Sequence, residues 1–216
     1  IEPLAINEIQ NKPRSKFYKN LIELTAPKEM KFEEKTKKSK ETVLNTLFHG
    51  GYPEILLDRS KRFRELWFEN YLRTYVDRDI RRLFPSLQLE TYQRFIRMLA
   101  YSSGELINQN NYAASLGVSA QTVKNYLQIA EGTFFFRELL AFSKHSESRL
   151  IRNSKGYIRD TGFLCFMLGI DSSDKLYEHS KLGQVFEIYV IEQLLKILKS
   201  EGVHFQYSFF RTSNQV

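Results

Sequence analysis

Residues 106–142 carry the pattern that most narrows the fold. "NQNNYAASLGVSAQTVKNYLQIAEGTFFFREL" reads as a short helix, a glycine turn, a second helix and an aromatic strand. The spacing Ala113, Gly117, Val123 is that of a helix-turn-helix. A small residue at 113 lets the two helices approach closely. Gly117 permits the positive φ of the turn. Val118 and Val123 fill the angle between the helices, and Ser119 is placed to cap the second one. The preceding stretch, "LETYQRFIRMLAYSSGELI", is predicted helical with Tyr92, Phe95, Ile96 and Leu99 inward. On the second helix of the pair, Ser119, Gln121, Thr122, Lys124, Asn125 and Gln128 are expected to face outward. Such groups hydrogen-bond base edges and phosphates, so they are the candidate nucleic-acid contacts.

Charge supports and limits that reading. The 216-residue chain has a net charge of +7 and a pI near 9.3. The region 144–159 is read as a wing, where Lys144, Arg149, Arg152, Lys155 and Arg159 face one acid, Glu147. That is a reasonable phosphate footprint. Residues 85–142, however, are neutral: Arg94, Arg97, Lys124 and Arg137 are balanced by Glu90, Glu105, Glu131 and Glu138. Only Lys124 lies on the second helix, so the wing has to supply most of the electrostatic affinity. The alternative is a structural or protein-docking role, with no DNA contact.

Other chemistries find little support. No GxxxxGK[ST] and no GxGxxG follows a strand, so the chain offers no phosphate cradle. His49, His145, His179 and His204 are scattered, and one cysteine excludes both an internal disulfide and a Cys/His zinc site. Cys165 lies in "FLCFML", where a buried, inert thiol is expected. A lone cysteine suits a reducing, cytoplasmic compartment. No apolar run reaches the roughly 18 residues that a membrane helix needs. The 42% apolar content is that of a globular chain.

The flanks are less specific. "IEPLAINEI" reads as a strand end turning into a helix. Lys35, Lys37, Lys38 and Lys40 form a basic run whose plain reading is a solvated face or loop tip. Gly50, Gly51 and Pro53 form a break. Residues 54–84 read as one long amphipathic helix ended by Pro85, with Phe63, Trp67, Tyr71 and Tyr75 stacked on a core-facing stripe. "KLGQVFEIYVIEQLLKILKSEG" is a strongly apolar helix, and "VHFQYSFFRTSNQV" a strand. Glu187, flanked by apolar residues, is a weak metal-ligand candidate. Its alternative is an ion pair with Lys181 or Arg211, or simple exposure. The opening at Ile1 and the end at Val216 in mid-strand are expected to mark a fragment.

Seven stretches in order resemble the C-terminal half of a prokaryotic AAA+-type ATPase family, in which a P-loop domain precedes a conserved domain of unknown function. They are "EPLAINEI" (2–9), "FHGGYPE" (48–54), "WFENYLRTYVDRDI" (67–80), "LINQNNYAASLGVSAQTVKNYL" (106–127), "YIRDTGFL" (157–164), "GQVFEIYVIEQL" (183–194) and "FFRTSN" (209–214). The resemblance implies a mainly α chain with minor β (α+β), in three parts. Residues 1–84 would be a helical lid or connector, 85–160 a winged helix-turn-helix, and 161–216 the start of a truncated restriction-endonuclease-like segment. It also implies that ATP and Mg belong to an ATPase core outside this chain, which itself would hold no cofactor, metal or catalytic residue. The expected partners are DNA, that ATPase domain and a homo-oligomer, with no membrane. Glu187 would match the acid on an early helix of a nuclease-like core. Arg78 would sense nucleotide across a subunit boundary, or else pair with Asp77 or Asp79.

Overall fold

The computed structural model describes residues 3–11, 39–142, 154–200, 202 and 206–210. The chain is mainly α-helical with one small antiparallel sheet. Helix α1 (Ile6–Ile9) leads to α2 (Lys40–His49), α3 (Pro53–Leu57) and α4 (Lys61–Arg73). A π-helical stretch (Thr74–Ile80) and a short α5 (Arg81–Leu83) continue α4. Then come α6 (Leu89–Tyr101), α7 (Gln109–Leu116), α8 (Ala120–Gly132), β1 (Phe136–Leu139) and β2 (Lys155–Ile158). Helices α9 (Thr161–Met167), α10 (Ser173–Glu178) and α11 (Leu182–Ser200) complete the described chain.

The expected single helix over 54–84 is corrected in two places. Residues 58–60 interrupt it: the Ser60 N–H donates to Asp58 Oδ1 (2.9 Å), and Ser60 Oγ accepts the Phe63 N–H to start α4. Beyond Arg73 the helix widens to π geometry. Buried Tyr75, Val76 and Ile80 lie on that stretch. The five-residue step from Tyr75 to Ile80 is the step that π hydrogen bonding aligns. Among the described residues no strand precedes α1 either. Leu4 makes a backbone bond to the Gly51 carbonyl (2.6 Å), and Ala5 opens the helix directly. The strand expected after Gly202 reduces, among the described residues, to an isolated bridge between Ala141 and Phe209.

Of the expected aromatic stripe only Tyr75 is buried; Phe63, Trp67 and Tyr71 are half-buried and pack against the core, while Arg64 and Phe68 form the buried face of α4. Tyr52, Trp67 and Tyr71 form a cluster in which the Trp67 and Tyr71 rings stack with centroids 5.3 Å apart and 7° between planes. Tyr75 stacks on Phe135 (4.9 Å, 6°) and hydrogen-bonds the hydroxyls of Tyr92 and Thr133. It therefore fastens the α4 arm to the helices and strand that follow. One hydrophobic cluster runs from Leu47 to Ile188 and includes residues from all three expected segments.

Buried polar groups complete this interior. Arg64 is 1% exposed. Its guanidinium donates to the carbonyls of Phe48 (3.2 Å) and Gly162 (2.9 Å) and covers the Phe48 ring. Asp160 accepts the N–H groups of Gly51 and Phe163, so it closes the Gly50–Gly51 break and caps α9 together. Gly162 is required here because a Cβ would lie 2.3 Å from the His49 carbonyl oxygen. Glu192 is 2% exposed and receives Arg137 through Nε (2.5 Å) and Nη2 (3.2 Å), and Arg159 through Nε (3.3 Å). This triad ties β1, and Arg159 just past β2, to α11.

Candidate nucleic-acid interface

The helix-turn-helix forms with the expected local chemistry. Asn108 caps α7 by accepting the Asn111 N–H (3.1 Å). Gly117 ends α7 at φ +69°, ψ +35°, the left-handed conformation that glycine adopts without steric cost. Two residues on, Ser119 Oγ accepts the Thr122 N–H (3.0 Å) and starts α8. Val123 is fully buried between the helices, Val118 is half-buried, and Ala113 is buried at the crossing. Tyr126, Leu127 and Ala130 complete the buried face of α8. The order α6–α7–α8–β1–β2, with Phe136 paired to Ile158 and Leu139 to Lys155, is that of three helices and a hairpin.

The opposite face of α8 is open. Ser119, Gln121, Lys124, Asn125 and Gln128 are exposed, and Thr122 is half-buried. Gln121 donates to Asn125 across one turn (3.0 Å), which holds two amides side by side. A cleft of about 880 Å³ runs along this helix. One wall is Ser119, Thr122, Asn125 and Ile129; the other is the connection 83–88. Leu87 and Tyr126 give the cleft an apolar share of its lining.

Only two of the five cations expected on the wing are described. Lys144, Arg149 and Arg152 lie outside the described residues. Lys155 and Arg159 are described, and both are engaged. Lys155 Nζ pairs with Glu187 (2.8 Å), while Arg159 is 6% exposed and joins Glu192. They brace the base of the hairpin against α11 rather than facing solvent as free cations. For Glu187, Lys181 is corrected as a partner, and Arg211 lies outside the described residues. Lys155 and the Tyr157 hydroxyl (3.1 Å) hold Glu187, and Lys181 instead reaches Glu105 (2.7 Å). Among the described residues no three His, Cys, Asp or Glu side chains gather as a metal site. Arg78 is exposed and pairs with Asp79 (2.8 Å). Cys165 is buried, and burial pushes its thiol up to about 12.

A family model described as a domain of unknown function (DUF8612) matches residues 40–174. The chain belongs to this family. The DUF8612 span covers α2 through the whole helix-turn-helix and hairpin and ends in α10, so Glu187 and Glu192 fall beyond it. Two similar proteins are the uncharacterized Rv2008c of Mycobacterium tuberculosis and Mb2031c of Mycobacterium bovis. Each is 33% identical over 156 residues, covering 72% of this chain and 35% of the relative. The chain thus spans about a third of the length of these curated relatives. No solved structure matches it.

Sequence reasoning missed Glu192 and Arg64. The signal for Glu192 was present: Val185, Ile188, Glu192 and Leu195 share one helical stripe, and Glu187 lies off it. An acid on the buried stripe needs a cation, whereas an acid beside it does not. Arg64 had no such sign, because its partners are backbone carbonyls distant in sequence.

Proposed function

We propose that this chain is a DNA-contacting winged-helix region, acting within a larger ATP-hydrolysing protein of AAA+ type. The observation that carries the reading is the exposed polar face of α8, held by a Ser119 cap and a Gly117 turn. An α-helix of this diameter fits the major groove, where Gln121 and Asn125 suit bidentate contacts to adenine and Lys124 suits phosphate or guanine. The coupling to ATP rests on the family resemblance of the seven stretches. The nucleotide and Mg sites would belong to a part of the protein outside this chain, and Arg78 would be free to sense nucleotide only if it left Asp79.

Titration of a labelled duplex, read by fluorescence anisotropy at two salt concentrations, tests the proposal. Binding in roughly the micromolar range that weakens steeply with salt is expected. Lys124→Gln with Asn125→Ala should weaken it several-fold. No binding at low salt would overturn the reading. It would favour a protein-docking role instead, for which the zero net charge of residues 85–142 and the partly apolar cleft beside α8 are the supporting observations.

A further inference from the structure

A phosphate-binding surface needs cations, and α8 carries only Lys124. The described wing residues Lys155 and Arg159 are held by Glu187 and Glu192. Among the described residues, further cations for such a surface are therefore to be sought elsewhere around α8. Arg81 and Arg82 fit that requirement. Both are exposed, neither has an ion pair among the described residues, and they lead directly into Leu83, the first residue of the cleft's far wall. Between Arg81 and Gln88 there is no acid. The nearby acids are otherwise occupied: Asp79 binds Arg78, and Asp77 accepts from Gln93 (3.2 Å).

The geometry of insertion makes this placement consequential. The major groove is about 12 Å wide, and a helix with its side chains is about 10–12 Å across, so a seated helix has a sugar–phosphate strand on each side. On the side of Ser119, Thr122 and Ile129, that space is the cleft. A strand there has the hydroxyls of Ser119 and Thr122 on one flank and the 83–88 connection on the other, with Arg81 and Arg82 next to that wall in sequence.

We infer that Arg81 and Arg82 form a second phosphate contact. One strand of a duplex read by α8 lies in the cleft, with its phosphates neutralised from the short helix α5 that leads into the far wall. The exposed Leu83 and half-buried Leu87 then meet deoxyribose rather than charge. This inference rests on the DNA-binding reading above. It places an electrostatic footprint at the end of the α4 arm, apart from the hairpin.

The test compares Arg81→Gln with Arg82→Gln, made together, against Arg59→Gln with Arg62→Gln. The second pair is also exposed and removes the same charge at the start of α4. The probe is a labelled random-sequence duplex, titrated from about 50 to 200 mM salt. The 81/82 pair should lose on the order of tenfold or more in affinity and about two units of log–log salt slope. The 59/62 pair should retain both. Wild-type affinity and slope in the 81/82 variant, with loss in Lys124→Gln, would overturn the inference and leave the reading intact. Equal losses in both pairs would also overturn it, because the attraction would then be diffuse. No wild-type binding would remove both. Unchanged circular dichroism and melting confirm that the exposed substitutions leave the fold in place.

Discussion

Replacing Glu192 with glutamine removes a buried negative charge shared by Arg137 and Arg159. Two poorly hydrated guanidinium groups would be left without it, and loss of one partner of a buried pair destabilises by about 3–5 kcal/mol. A chemical-denaturation midpoint should fall accordingly, and Glu187→Gln should move it far less, since that side chain is 41% exposed. Arg64→Ala acts differently. It opens a cavity against Phe48 and Phe68 and deprives two carbonyls of a donor, so a loss of about 3 kcal/mol or more is expected. His49 adds a pH dependence. Burial, then the nearby Arg59 and Arg64 charges, hold it below its ordinary value of 6.5, partly offset by its ring nitrogen bonding the Asn45 carbonyl. The unfolded chain therefore takes up a proton first on acidification. The stability is complete above 6.5 and is lost as pH falls toward the folded value. Melting curves across that window should shift downward with acid, and His49→Gln should flatten the shift.

At the level of elements, local chemistry was legible and distant pairing was not. The turn between α7 and α8 needed only Gly117, Ser119, Ala113 and Val123, all within eleven residues, so the sequence pattern and the structure agree there. Ser119→Ala should accordingly destabilise α8 by about 1 kcal/mol, measured as a denaturation midpoint, with fraying of its first turn in hydrogen exchange. Of the basic run expected as a wing, the two described cations were not legible in their bracing. Lys155 and Arg159 meet acids that lie more than thirty positions away on α11. Between residues 54 and 84 the stripe was read to the right side of the helix but one step off its buried centre at Phe68, and its interruption was not read. The Asp58–Ser60 turn is a local signal passed over in favour of the stripe. The π-helical widening after Arg73 depends on how Tyr75 reaches Tyr92, Thr133 and Phe135, which periodicity alone does not encode.

For the whole molecule, the shared core is the governing fact. A single cluster joins α2, the α4 arm, the helix-turn-helix, α9 and α11. Helix-by-helix content and the change of backbone across 85 should therefore be lost together. Far-ultraviolet circular dichroism and intrinsic fluorescence are expected to trace one coincident transition. Separate transitions would mean that the three sequence segments unfold as independent units. The fluorescence half of that experiment needs no dye, because the 216 residues contain one tryptophan. Trp67 lies against Tyr71 and Tyr52, and its emission has a single structural origin. Transfer of light absorbed by those tyrosines to the indole is most efficient while the rings remain together. The ratio of tyrosine- to tryptophan-excited emission is then an intrinsic gauge of whether the centre of the protein is intact, readable in the same cuvette as the DNA titration.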